Sequence, residues 1–222
     1  MLKLFFPHLC CGCDRRLANG LQVLCVNCQN ELAICFPKNI KNNPLTQRFY
    51  GLLDLESGFS LLRFEQTNLT QRLLHQLKYK GQQQLGSYFA LRMGTMLNQL
   101  EVKSEFDLIV PVPLSKKRLR KRGYNQVDKF AADLAETLQT QVALKALERI
   151  DSAKSSVKLN RKHRFECEHR FKCGKSFEPK AGMHILLVDD VITTGATLEA
   201  CAKVLLNAAD VRLSFATIAM TE

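Results

Sequence analysis

The chain lacks several features that would place it in common protein classes. No stretch approaches the ~18 uninterrupted apolar residues that a membrane-spanning helix requires, and Pro7 interrupts the opening apolar segment too early for a secretory signal. Neither a GxGxxG nor a GxxxxGK(S/T) pattern occurs, so the fingerprints of dinucleotide-binding proteins and P-loop NTPases are missing. The sequence therefore predicts a soluble, cytoplasmic protein without membrane insertion.

Charge is not distributed evenly, because Lys and Arg are concentrated in the middle of the chain. The net charge is +11, and residues 111–175 hold 17 Lys and Arg against 7 Asp and Glu, whereas residues 176–222 hold 3 against 6. A concentrated basic field attracts polyanions, although a solvated basic surface is a common alternative. With 222 residues and 46% hydrophobic content, the chain can bury one substantial core and a small appended module.

Six of the nine cysteines precede residue 36. Cys10 and Cys13 form one CxxC pair, and Cys25 and Cys28 form a second. Two such pairs can present four thiolates to one tetrahedral Zn²⁺, and four cysteines leave no open position for catalysis. Structural disulfides are the competing interpretation, but they belong to oxidising compartments. The spacing predicts a zinc-binding module in residues 1–36, with structural Zn²⁺.

Helical and strand periodicities alternate through the rest of the chain. Residues 37–48 are rich in Pro, Asn and Lys and predict a linker, followed by a second domain at 49–222. We predict a helix from a cap at Thr67 or Asn68 to Gly81, and further helices at 85–100, 128–138 and 194–206. Strands are predicted at 59–64, 106–112, 183–188 and 211–219. This alternation indicates an α/β fold with a parallel sheet.

The clearest candidate binding site follows the apolar run that ends at Val188. Asp189 and Asp190 come at the predicted carboxyl end of a buried strand, where ligands of open α/β sheets bind. A Thr- and Gly-rich loop then enters a helix, and its hydroxyls and amides suit a phosphate. Its members are Thr193, Thr194, Gly195, Ala196 and Thr197. The two acids can accept hydrogen bonds from ribose hydroxyls; the alternative is simple helix capping.

This order of apolar strand, two acids and Thr/Gly loop resembles the type I phosphoribosyltransferases. The resemblance implies a Rossmann-like sheet with helices on both faces. It also implies that Asp189 and Asp190 hold the ribose hydroxyls, that residues 193–197 cradle the 5-phosphate, and that the ligand is phosphoribosyl pyrophosphate with Mg²⁺. In the purine-salvage branch a third acid stands where this chain has Thr193.

A basic segment follows the predicted strand at 106–112. Six of its seven positions are cationic: Lys116, Lys117, Arg118, Arg120, Lys121 and Arg122. If the segment is helical, these cations spread around the helix at ~100° per residue, so several must face away from a small ligand. Some of them can neutralise pyrophosphate and the rest can bind a nucleic-acid backbone. Tyr124 and Asn125 beside them can contact base or phosphate, or instead pack in the core and cap the next helix.

The combined motifs resemble the ComF family over nearly the whole chain. They are the paired CxxC module, LKYKG with Lys78 and Lys80, the basic segment ending in RGYNQ, and the acid pair with its Thr loop. The resemblance implies a zinc-ribbon-like module and a phosphoribosyltransferase-like domain. It further implies a role in natural transformation: binding single-stranded DNA during uptake, beside a DEAD-box-like helicase. Oligomeric state and catalytic residues stay undefined.

The segment after Arg149 departs from the family pattern. Relatives carry a Thr, a Gln and then an Asn before a small residue and Phe, where this chain has Ala153, Ser156, Cys167 and the run His169, Arg170, Phe171. The first hypothesis is therefore a DNA-handling competence factor with a phosphoribosyl pocket. The alternatives are a phosphoribosyltransferase acting on an unidentified acceptor, and an adaptor whose zinc module docks a helicase and whose pocket is vestigial.

Overall fold

The computed structural model describes residues 8–17, 23–64, 69–102, 105–150 and 170–221. The predicted cap at Thr67 or Asn68 and the family departures at Ala153, Ser156, Cys167 and His169 lie outside these residues. Across the described residues, no helix combines the length and the apolar character needed to cross a membrane.

A five-stranded parallel sheet forms the centre of the protein. Its strand order is β1-β7-β6-β2-β3, and every neighbouring pair is parallel. Two further strands, β4 and β5, form a separate antiparallel ribbon. In chain order the strands are β1 (Ser57–Phe64), β2 (Leu108–Pro111), β3 (Gln141–Val142), β4 (Leu147–Arg149), β5 (Phe171–Cys173), β6 (His184–Ile192) and β7 (Arg212–Thr221). The predicted parallel α/β sheet is confirmed.

Helices cover both faces of this sheet. In chain order they are α1 (Val26–Glu31), α2 (Pro44–Gln47), α3 (Leu69–Tyr79), α4 (Gln84–Gln99), α5 (Lys116–Arg122), α6 (Gln126–Leu138) and α7 (Ala196–Ala208). Leu186 and Val188 of β6 join the core formed with α3, α4 and α6, whereas Ile185 and Leu187 join the core formed with α2 and α7. Successive strand residues point to opposite faces, so the unbroken apolar run of β6 is explained by two covered faces.

The boundaries of β6 and α7 differ from those predicted. The strand was expected to end at Val188, but it continues to Ile192, because its pairing with β7 extends through Asp189, Val191 and Ile192. The helix begins at Ala196 rather than at Thr194. Residues 193–195 therefore form a tight turn between strand and helix.

The cysteine module packs directly on the central domain. Cys10, Leu24 and Leu32 share one hydrophobic core with β1 and α3. Residues 33–35 lie along β1 and exchange hydrogen bonds with it, and Ile34 forms an antiparallel bridge with Leu62. This pairing covers part of the β1 edge, which otherwise exposes backbone groups.

The segment predicted as a linker is a packed element. It contains α2, whose amino terminus is closed by a reciprocal capping box between Asn43 and Thr46. Leu45 is buried in the core on the α7 side of the sheet. Asn43 also donates to the Gly58 carbonyl at 3.0 Å, which ties the segment to β1. Asn43 and Pro44, which contribute to the linker-like composition, cap and start this helix.

Candidate functional site

The strand order creates a crevice between β2 and β6. From β6 the chain crosses to β7 on one side, and from β2 it crosses to β3 on the other, so the direction of winding changes between these two strands. Open α/β sheets bind ligands outside the carboxyl ends of strands at such a switch point. A cavity of about 290 Å³ opens there. It is lined by Lys78, Tyr79, Val112, Pro113, Leu114, Arg118, Arg122, Gln126, Arg149, Asp189, Asp190, Val191 and Thr197.

Asp190 lies at the base of this crevice and is held by two side chains. The Lys78 ammonium lies 3.2 Å from its Oδ2, and the Gln126 side-chain amide donates to the same oxygen. Arg122 in turn donates to the side-chain oxygen Oε1 of Gln126. Both Asp190 and Gln126 are buried. A chain of polar contacts therefore fixes the carboxylate and connects it to the end of α5.

Asp189 is half-buried and faces the same crevice. Burial, followed by the neighbouring negative charge of Asp190, raises the pKa of Asp189 to about 8. The positive charges of Lys78 and Arg149 oppose this shift. One Asp189 oxygen also accepts the Asp190 backbone amide at 2.8 Å. Two adjacent carboxyls held in this way are suited to accept hydrogen bonds from vicinal hydroxyls.

The predicted phosphate loop adjoins the acid pair. Thr193, Thr194 and Thr197 are exposed on it, and residues 193–197 border a shallow cleft that also reaches Asp189. Gly195 has φ +82°, and a Cβ atom there would lie 2.7 Å from Cζ of Phe49. Because α7 runs for 13 residues from Ala196, its first amides and the positive end of its dipole point toward this cleft. Glycine lets the chain make this turn against a buried ring.

The basic segment forms α5, a helix that buries none of its residues. Ser115 caps it by accepting from the Arg118 amide, and Gly123 ends it with φ 84°. Arg118 and Arg122, one turn apart, line the crevice. The four other cations are exposed and do not line it: Lys116, Lys117, Arg120 and Lys121. Two of the six cations of α5 thus line the crevice and four do not, as expected for cations spread around a helix.

Tyr124 and Asn125 make contacts within the protein. The Tyr124 hydroxyl donates to the Leu77 carbonyl near the end of α3. Asn125 is buried, its side chain accepts from the Val127 amide as the cap of α6, and it donates to the Val112 carbonyl at 3.2 Å. Neither side chain lines the crevice. Lys80 is exposed and also lies outside the crevice lining. Ligand contacts by these three residues stay predictions.

Three crevice residues with polar or charged side chains, Tyr79, Gln126 and Arg149, were not among the predicted site residues. Gln126 lies in the RGYNQ motif and Tyr79 lies in the LKYKG motif. The motifs therefore included these residues but did not show that their side chains line the crevice. Arg149 ends β4, and its guanidinium lies over the Phe171 ring at 5.4 Å. The β4-β5 ribbon that brings Arg149 to the crevice carries little periodic signal, since each strand has three residues.

The four predicted zinc ligands lie together. The sulfur atoms of Cys10, Cys13, Cys25 and Cys28 are all within 4.8 Å of one another. Cys10 Sγ accepts from the Cys25 amide at 3.2 Å and from the Gly12 amide at 3.4 Å. Such amides stabilise thiolate charge, and a tetrahedral site needs four sulfurs at this spacing. The residues therefore fit a structural Zn²⁺, which would cross-link the two knuckles.

Cys11 lies outside the sulfur cluster. It is buried, burial raises the pKa of its thiol, and Gln84 of α4 lies 3.9 Å from its sulfur. Cys35 is half-buried, and its backbone amide pairs with Leu61 of β1. Neither residue belongs to the four-cysteine group, in agreement with their positions outside the two CxxC pairs.

Helix α3 connects the cysteine cluster to the crevice. At its first turns, Leu69 packs against Gly12 and Arg72 donates to the Gly12 carbonyl. At its last turn, Lys78 and Tyr79 line the crevice. The helix has 11 residues, so it spans about 16 Å at 1.5 Å per residue. The position of Lys78 relative to Asp190 therefore depends on a helix that is braced at its far end by the cysteine module.

Comparisons with known proteins agree with this architecture. Residues 121–220 match the family model described as "Phosphoribosyl transferase domain". The DNA utilization protein YhgH of Escherichia coli O157:H7 is 27% identical over 90% of this chain and 92% of its own length. The competence protein ComFC of Bacillus subtilis is 31% identical over 63% of this chain and 55% of its own length.

Among solved structures, an adenine phosphoribosyltransferase has 17% sequence identity and a TM-score of 0.42, covering 67% of this chain and 75% of that chain. The sequence relatives are more informative: the alignment with YhgH spans 90% of this chain, and those with the competence proteins ComFC and F span 63% and 53% of it. The chain is therefore similar to the YhgH protein and to the competence proteins ComFC and F, and its residues 121–220 match a phosphoribosyltransferase domain.

Proposed function

We propose that this protein binds single-stranded DNA during natural transformation, and that its crevice holds a phosphoribosyl pyrophosphate-type ligand with Mg²⁺. One observation carries the proposal. Arg118 and Arg122 belong both to the crevice lining and to α5, whose other cations are exposed. A small ligand occupies the crevice side of that helix, and the opposite side remains for a nucleic-acid backbone.

The exposure of α5, in which Arg122 is half-buried and the other six residues are exposed, supports a polyanion partner. Six cations on seven neighbouring positions repel one another, and no buried residue of the helix compensates for that cost. Phosphates spaced along a strand neutralise such charges and release counterions, which makes binding salt-dependent. Lys116 and Arg120 lie about 200° around the helix from Arg118, so they can contact a DNA strand but not a ligand in the crevice.

The test is a charge reversal on the outer face of α5. Lys116→Glu/Arg120→Glu is compared with Lys180→Glu/Arg212→Glu, which reverses two exposed charges near the amino-terminal edge of the sheet. Fluorescence anisotropy with labelled oligo-dT is measured across a salt series. We expect the first variant to bind at least tenfold more weakly with a shallower salt slope. Equal affinities for the two variants would overturn DNA binding through α5.

The ligand in the crevice is tested separately. Phosphoribosyl pyrophosphate with Mg²⁺ should raise the melting temperature of the wild-type protein, because a ligand that binds only the folded state stabilises it. Asp189→Asn/Asp190→Asn should remove most of that ligand-induced shift, and Asp133→Asn on the surface of α6 should retain it. An equal shift in the acid-pair variant would exclude the proposed pocket.

The second candidate function is phosphoribosyl transfer to an unidentified acceptor. Its support is the set of cations in the crevice, namely Arg118, Arg122 and Arg149, which can balance the charge that develops on departing pyrophosphate. Pyrophosphate release across a panel of bases and nucleotides tests it. Release that depends on Asp190 would favour the enzyme.

The DEAD-box-like helicase partner is likewise a proposal. It rests on the family resemblance, and the cysteine module is the candidate docking element. A co-purification experiment should recover the helicase with wild-type protein and lose it when Cys13 and Cys25 are replaced by serine. Retention of the helicase by that variant would place the contact elsewhere.

A further inference from the structure

Tyr79 is an exposed aromatic side chain at the mouth of the crevice. It is the last residue of α3, it is 61% exposed, and it lines the cavity beside Lys78. The chain has no tryptophan, so an aromatic side chain that stacks on a base must be one of its Tyr, Phe or His residues. Among the described residues, Tyr50 and Phe36 are also exposed, but they lie outside the crevice lining.

The Tyr79 ring contacts two neighbouring side chains. The guanidinium carbon of Arg122 lies 5.2 Å from the ring centroid. The His75 ring, one turn earlier on α3, lies 5.0 Å away at a tilt of 44°. Arg122 is itself fixed through Gln126. Planar guanidinium and aromatic groups both stack on nucleobases, and here they form one pre-ordered surface.

This surface lies between the two parts of the proposed binding site. On the inner side, Lys78 and Gln126 contact Asp190. On the outer side, α5 ends at Arg122. A base placed at this position has sugar-binding acids on one side and phosphate-binding cations on the other.

We propose that Tyr79, together with Arg122, is a stacking platform for an unpaired nucleobase of the bound single strand. The proposal rests on the DNA-binding function proposed above and adds the residue that contacts a base. Because bases in a duplex are already stacked on one another, the platform favours single-stranded over duplex DNA. Stacking accepts any base, so little sequence preference is expected.

The structure favours Tyr79 over the tyrosine in the RGYNQ motif. Tyr124 is half-buried and its hydroxyl donates to the Leu77 carbonyl. Burial raises the pKa of that hydroxyl. Tyr124 therefore holds the end of α3 in place, two residues before the platform, while the Tyr79 ring is available to a ligand.

The test compares Tyr79→Leu and Tyr79→Phe with a matched control, Tyr50→Leu. Tyr50 is exposed to a similar degree, at 59%. Loss of one base stack costs about 1–3 kcal/mol, so Tyr79→Leu should weaken oligo-dT binding about 5- to 160-fold. Tyr79→Phe should stay within about twofold of wild type, as should Tyr50→Leu. The salt slope should not change in Tyr79→Leu, because no charge is lost. Wild-type affinity in Tyr79→Leu would overturn the platform.

Photocrosslinking identifies the contact directly. An oligonucleotide with one 5-iodouracil is irradiated with the full-length protein, and the adduct is mapped by mass spectrometry. An adduct at Tyr79 supports the platform, and adducts confined to other aromatic residues contradict it. An adduct formed by 5-iodouridine monophosphate but not by the strand would also overturn it, by assigning the surface to an acceptor base.

These outcomes separate the platform from the proposed function. If Tyr79→Leu binds normally while Lys116→Glu/Arg120→Glu does not, DNA binding stands and the platform fails. If wild-type protein binds no single strand at all, the proposed function fails and the platform fails with it.

Discussion

The Lys78 ammonium lies 3.2 Å from Asp190 Oδ2, and both side chains are largely withdrawn from solvent. These residues are 112 positions apart in the chain, at the end of α3 and within β6. Their contact brings the LKYKG motif and the acid pair into one site. Gln126 adds the RGYNQ motif through the same carboxylate oxygen, so three separate motifs meet at Asp190.

Removal of Lys78 should destabilise the protein. Lys78→Met leaves the buried Asp190 with Gln126 but without a cation, and an incompletely compensated buried charge costs about 1–3 kcal/mol. The control is Lys129→Met, whose i,i+4 partner Asp133 lies 2.7 Å away on α6; such a helix pair contributes about 0.5 kcal/mol or less. Urea unfolding measures both. Equal midpoints for the two variants would contradict the role assigned to Lys78.

The raised pKa of Asp189 predicts a pH-dependent stability. A carboxyl with a pKa near 8 in the folded protein and about 4 unfolded makes the folded state bind more protons between those values. Its contribution to stability is complete below pH about 4 and is lost as the pH rises through 8. Asp189→Asn should therefore gain stability relative to wild type from pH 5 to pH 9. Parallel melting curves would refute the shifted pKa.

Replacement of Gly195 tests the turn before α7. Gly195→Ala must place a Cβ in the left-handed region and 2.7 Å from the Phe49 ring, so we expect a loss of roughly 2–4 kcal/mol from strain and overpacking. Gly182→Ala is the control, because its φ is +79° and no atom lies within 4 Å of the added Cβ. It should lose about 1 kcal/mol. Similar losses in both variants would show that Phe49 does not restrict the turn.

Zinc removal should act on the crevice through α3. We expect one Zn²⁺ per chain, lost in Cys28→Ser and retained in Cys11→Ser and Cys35→Ser, as measured by chromogenic chelator titration. Chelation should lower the melting temperature, because the free energy of zinc binding contributes to the free energy of folding. It should also reduce the stabilisation by phosphoribosyl pyrophosphate, since Arg72 and Leu69 brace the helix that carries Lys78. Full zinc content in Cys28→Ser would exclude this ligand set.

The sequence alone determined the features that depend on local pattern. CxxC spacing predicted the cysteine cluster, and apolar periodicity predicted the parallel α/β sheet, because side-chain direction repeats at fixed intervals along strands and helices. The acid pair and Thr loop were found together because they are neighbours in the chain. The cations of α5 were predicted to divide between two sides for the same geometric reason.

Tertiary structure decided the features that depend on distant contacts. β6 continues past Val188 because β7 pairs with it, and the predicted linker forms α2 because Leu45 is buried. The partners of Asp190 come from α3 and α6, and Arg149 arrives from a ribbon of three-residue strands. Tyr79 and Tyr124 both stand in motifs, but only packing shows which ring is exposed. No local periodicity encodes these contacts, because they form only when segments that are distant in the chain pack together around the sheet.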